Sequence, residues 1–124
     1  MMRAIRLFML VEAVSFSVAA FIHSGGLIAG YEHRQARIAE GVIAIVLLGG
    51  LALTWIRPAW TRTVGLSAQA FALLGTLVGI FAMAVGVGPR TVPDVVYHVG
   101  IVIVLACGLS VIARARSAQV GRRA

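Results

Sequence analysis

The chain reads as an all-α integral membrane protein, a four-helix antiparallel bundle with its N- and C-termini cytoplasmic, and three observations predict this. Of its 124 residues 60% are hydrophobic and only 12% charged, with a mean hydropathy of +1.00. That composition lies outside the range of soluble globular domains. Four apolar runs approach or exceed the roughly twenty residues that a transmembrane helix needs. The basic residues, all arginine, cluster at the ends of those runs, eight on one side against three on the other.

The first run, Ile5 to Ile28, follows Arg3 and Arg6 and has "SVAA" near its end, in the manner of a secretory signal. Glu12 within the apolar stretch, and a length beyond the usual hydrophobic region of a signal, argue against cleavage, so the run is kept as helix one. "YEHRQARIAEG", residues 31–41, is the outer loop and the beginning of helix two, Ile38 to Ile56, and delivers Glu40 into the bundle with Glu32 and His33 as its rim. The turn "RPAWTR" leads to helix three, Thr63 to Val87, and "GVGPRTVP" leads to helix four, Val92 to Ala113; both connections carry the proline or glycine of tight turns. Residues 1–124 thus form one domain, with no loop long enough to house another.

Arg3, Arg6, Arg57, Arg62, Arg114, Arg116, Arg122 and Arg123 fall on one side and Arg34, Arg37 and Arg90 on the other, which places both termini in the cytoplasm. Trp55 and Trp60 flank a cytoplasmic turn, where interfacial indoles are expected. A formal charge of +7 raises the question of nucleic acid. Scattered arginines with no polar surface between them fit orientation in a bilayer instead, with membrane lipids as the first partners. Gly75 and Gly79 form a GxxxG in helix three, while Gly41, Gly49, Gly50, Gly100 and Gly108 are expected to let backbones approach within the bundle. The single Cys107 is expected as a small buried residue.

Depth follows from the rise of about 1.5 Å per residue: His23, Glu40 and His98 lie about 8 to 10 Å outward of their helix midpoints. Ionisable groups are costly in hydrocarbon, so these should face one another beneath the outer surface. Asp94 stands four residues before His98 and is expected to orient its imidazole from the rim of the site. Glu12 and His23, eleven residues apart, share one stripe of helix one with Phe16 and Ala19 between them. Gln69 of helix three falls near the depth of Glu12, predicting a hydrogen bond between the two, and Ser15, Ser17 and Thr76 extend a polar track towards the outer cluster.

Several chemistries suit these groups. His23, Glu40, His98 and Asp94 offer imidazole and carboxylate donors for a metal ion, and His23 and His98 offer axial ligands for haem, without any HxxxH or ExxH spacing to fix the choice of cofactor. Glu40 and His98, with Glu12 deeper, are candidate catalytic acid and base for isomerisation or cyclisation of a lipophilic small molecule, which needs no soluble cosubstrate. A packed interhelical hydrogen-bond network is the purely structural alternative. Passage of a proton or small ion past the outer cluster and Glu12 is a further reading.

At "AEGVIAIVLLGGLALTWIRPAWTRTVGLSAQAFALLGTLVG", residues 39–79, the sequence resembles the small bacterial four-helix membrane proteins of the DoxX-like group. The features shared are a glutamate opening helix two, a leucine-rich and small-residue close to it, a short arginine-bearing turn and an alanine- and leucine-rich helix three. The resemblance implies the fold, a place in the bacterial cytoplasmic membrane and an association with membrane redox processes, with Glu40 as the matching glutamate. His23, His98 and "PDVVYHVG" from Pro93 to Gly100 lie outside the resemblance. The expectation carried forward is a redox- or metal-associated membrane protein. The alternatives are an acid–base enzyme working within the bilayer and an accessory subunit of a membrane protein complex.

Overall fold

Four long helices make up the computed structural model, which describes residues 1–121, with side-chain surroundings up to Arg114. Of the arginines counted above, Arg122, Arg123 and the side chain of Arg116 lie outside the described residues. The elements are α1 (Met2–His23), α2 (Arg34–Ile56), a 3₁₀ turn (Pro58–Trp60), α3 (Thr61–Ala84) and α4 (Val92–Gly121). Each helix contains a stretch long and apolar enough to cross a membrane. These are the spans of a multi-pass membrane protein.

The helix ends shift from the apolar runs because local capping, not hydropathy, sets them. α1 stops at His23 rather than Ile28: Gly25 takes a φ of +80°, and the amides of Gly25 and Gly26 bond the carbonyls of Ile22 and Phe21. This is a Schellman motif, which the left-handed glycine makes possible. α3 ends three residues short of Val87 in the same way, with Gly86 at φ +84° and the amide of Val87 on the carbonyl of Ala82. α2 starts four residues before Ile38 because His33 caps it, its Nδ1 accepting from the amide of Ala36 at 3.2 Å. At α4 the amide and hydroxyl of Thr91 donate to Asp94 Oδ2 and the Asp94 amide donates back to Thr91 Oγ1 at 3.4 Å, a reciprocal capping box. α4 continues past Ala113 to Gly121.

Each helix turns a narrow stripe inward. On α1 the buried positions include Ile5, Met9, Glu12, Phe16, Ala19 and His23, and on α4 Asp94, His98, Ile101, Leu105, Gly108 and Ile112. Alternating steps of four and three residues keep a seam facing its neighbour along the whole helix. Every deeply buried polar side chain of the described residues falls on these inner faces, while Ile45, Ile56 and Val92 stand more than two-thirds exposed. Such an outside suits lipid contact, and the interior carries the polarity. α1 packs against all three other helices and α3 against α2 and α4, while the backbones of α2 and α4 stay apart, with no Cα pair within 8 Å among the described residues.

Some glycines permit this packing and others do not take part. A Cβ on Gly50 would meet Met9 at 2.9 Å, one on Gly65 would meet Ile5 at 2.5 Å, and one on Gly75 would meet Ile43 at 2.8 Å. Gly41, Gly49 and Gly100, expected at close backbone approaches, instead have nothing within 4 Å of that position. Cys107, expected inside, is exposed, because Gly108 takes the adjacent inward position on the stripe. At the end opposite His23, Arg6 donates to Thr54 Oγ1 at 3.1 Å and to the Thr54 carbonyl at 2.5 Å, with its guanidinium 4.1 Å from the Trp55 ring centroid.

Candidate functional site

His23 is the last residue of α1, Glu40 lies in the second turn of α2 and Asp94 in the first turn of α4. The three stripes meet there. His23 Nδ1 is 2.7 Å from Glu40 Oε2, and His23 Nε2 is 3.2 Å from Asp94 Oδ1. All three side chains are at least nine-tenths buried. An imidazole between two carboxyl groups can bond both in two ways, as an imidazolium donating to each or as a neutral ring donating to one and accepting from the protonated other. The arrangement fixes the ring in its plane and compensates most of the charge that burial would otherwise leave exposed to hydrocarbon.

The depth reckoning therefore places His23 and Glu40 correctly at one level. The expected role of Asp94 differs. Its carboxylate serves His23 and the α4 cap, and it is the backbone carbonyl of Asp94 that accepts from His98 Nδ1, at 2.8 Å. A residue in the first helical turn leans towards the cap, so its carboxylate is drawn to Thr91, while its carbonyl points down the helix to the residue four positions on. Because a carbonyl only accepts, Nδ1 of His98 carries the proton, and Nε2 is left with a lone pair when the ring is neutral. Nε2 lies against Gly79 of α3, where even a Cβ would stand 3.2 Å away.

Glu40 and His98 line the same cavity of about 220 Å³, which opens between α2 and α3 at the His23 end of the bundle. Its other walls are mostly apolar or small, among them Phe16, Ile43, Gly75, Gly79 and Met83, with His33 at the side. Glu40 Oε1, the oxygen that His23 does not use, is buried without a hydrogen-bond partner. A second cavity of about 220 Å³ lies on the α1–α4 side, bounded by Ser15, Ala19, His23, Tyr31, Asp94 and Tyr97. The His23, Glu40 and Asp94 cluster thus stands between two mostly apolar spaces.

Metal or haem ligation by His23 does not fit this donor set, since both of its nitrogens are engaged by carboxylates. Among the described residues no trio of His, Cys, Asp and Glu is arranged to hold a metal ion. Glu32 and His33 stay at the rim: Glu32 Oε2 accepts from the Gly30 amide at 2.8 Å, and the ring of His33 stands edge-on to that of His23 with centroids 6.4 Å apart.

Deeper in the membrane the expected Glu12–Gln69 hydrogen bond is not formed. Both carboxylate oxygens of Glu12 and both amide atoms of Gln69 are buried without partners. The polar track is absent too, because the hydroxyls of Ser15, Ser17 and Thr76 donate to carbonyls one turn back on their own helices. Two residues were missed from the sequence. Thr91 holds Asp94 through the capping box, legible as T-x-x-D before an apolar run; Tyr97 packs edge-on to His98 and has a buried hydroxyl without a partner. Nothing in a single tyrosine beside a histidine marks the latter in advance. No family model, curated protein or solved structure matches the chain.

Proposed function

We propose that this chain is a protein of the bacterial cytoplasmic membrane that performs acid–base chemistry, of isomerase or cyclase type, on a lipophilic molecule admitted from the bilayer. The observation that carries the reading is the cavity between α2 and α3, whose apolar walls include only a few polar groups, Glu40 and His98 foremost. Concave apolar sites with a few convergent polar groups are the usual form of small-molecule sites. His98 Nε2 takes a proton from the bound molecule and Glu40 returns one through Oε1, with electron pairs shifting along the substrate between the two positions. One proton leaves the substrate and one arrives, and transfer of the proton from His98 back to Glu40 within their shared cavity restores the starting state, so no cosubstrate is consumed. His23, held by Asp94, keeps Glu40 Oε2 in place and concentrates the exchangeable proton on Oε1.

The same proposal includes an antiparallel bundle with cytoplasmic termini, supported by Arg6 of α1 meeting Thr54 of α2 at one end and His23 meeting Glu40 at the other. It also includes a relationship to the DoxX-like group, supported by Glu40 opening α2.

The test is to purify the protein in mild detergent, extract bound lipophiles and identify them by mass spectrometry, then return them to the protein in D2O. Wild type is expected to carry a lipophile and to place deuterium on its carbon skeleton; Glu40→Gln and His98→Asn are expected to bind it and exchange at least about a hundredfold more slowly, the usual minimum for loss of a general acid or base. A folded wild-type protein that carries no lipophile and exchanges nothing would overturn the reading in favour of an accessory role.

A further inference from the structure

Near the middle of the span, one site pairs polar atoms that nothing among the described residues satisfies. Glu12 and Gln69 are both fully buried, on α1 and α3. Gly108 of α4 faces them: a Cβ there would overlap Gln69 Oε1 and stand 3.0 Å from Glu12 Oε1. Two acceptor oxygens from different helices therefore converge on the one position where the third helix has no side chain. Neither oxygen has a donor, and the second oxygen of Glu12 is equally unpartnered. Buried polar atoms left in this state cost free energy on the order of a few kcal/mol each, so these three oxygens, with the equally unpartnered Gln69 Nε2, mark a site rather than a packing accident.

We propose that Glu12 and Gln69 form a binding site for one monovalent cation, a proton or a sodium ion, closed by Gly108. A carboxylate at this depth needs a positive partner, and no arginine or histidine is recorded bonding to it among the described residues. Oxygen is the donor type that hard cations take, and a glutamate with an amide carbonyl supplies three. The site lies about 16 Å from His23 along the α1 stripe, eleven residues at about 1.5 Å each, and is independent of the outer cavity and of the chemistry assigned to it.

The experiment is labelling of the wild-type protein in proteoliposomes with a lipophilic carbodiimide, which reacts with protonated carboxyl groups, read by peptide mass spectrometry at Glu12 with and without sodium. Labelling that sodium suppresses identifies the sodium form, and Gln69→Leu is then expected to raise the protecting concentration about tenfold. Labelling that sodium leaves unchanged identifies the proton form, with sodium replaced by choline as the control. A Glu12 peptide that is recovered unlabelled in sodium-free buffer at every pH tested overturns the proposal. Since the readout needs no variant, a Glu12→Gln protein that fails to fold does not prevent the decision.

Discussion

His23 shows what one residue contributes when both ends of its ring are engaged. Removing it leaves the buried carboxyl groups of Glu40 and Asp94 without the ring that bonds both, so His23→Ala is expected to lose about 3 to 5 kcal/mol of stability, the usual cost of breaking a buried pair. Glu40→Ala removes one of the two carboxyl groups that bond His23 and is expected to couple to it: a double-mutant cycle should return an interaction of about 0.5 to 3 kcal/mol. Unfolding of the four proteins in one detergent measures this, and additive losses would mean that the 2.7 Å contact carries no energy. Thr91→Ala, which removes only the hydroxyl side of the α4 cap, is expected to cost about 1 kcal/mol. That His23 and Glu40 meet was legible from the sequence, because both are ionisable, lie at one depth and sit in apolar helices. Which atoms Asp94 offers to which neighbour was not, since the choice between carboxylate and carbonyl depends on a capping geometry that spacing alone leaves open.

At the scale of the helix, glycines divide into those that admit a neighbour and those that face outward. Gly65 faces Ile5, a β-branched residue that is 1% exposed and has little freedom to retreat. Gly65→Ala is expected to destabilise the fold by about 1 to 3 kcal/mol through overpacking. Gly49 sits in α2 with open space where a Cβ would go, so Gly49→Ala is expected to stabilise by up to about 1 kcal/mol through helix propensity. Opposite shifts of the unfolding midpoint in a common detergent check the pair, and equal shifts would mean that the helix contacts are wrong. Four helices were evident from hydropathy, whereas the division among glycines was not, since composition records that a residue is small and only the stripe records which way it points. Helix ends were misjudged for a related reason: Gly25 and Gly86 stop α1 and α3 by backbone conformation inside sequences that remain apolar for several residues.

For the whole molecule, charge and packing bear on orientation together. Of the three arginines at the His23 end, Arg90 is spent as a cap, its guanidinium donating to the carbonyls of Met83 at 2.7 Å and Ala84 at 2.9 Å. Arg6 on the other side caps α2 and stacks on Trp55, an interfacial anchor of the kind that fixes a helix end at the membrane surface. The arginine excess therefore stands beside aromatic anchors at the end away from His23, which favours that end as cytoplasmic and the Glu40 cavity as lying beneath the opposite surface. Single-cysteine reporters decide it. In a Cys107→Ser background, Gly30→Cys is expected to react with a membrane-impermeant maleimide on intact cells, and Ala59→Cys only after the membrane is opened. The reverse pattern would put His23, Glu40 and Asp94 beneath the cytoplasmic surface, leaving their mutual bonds intact but requiring the lipophile and its protons to arrive from the inner leaflet.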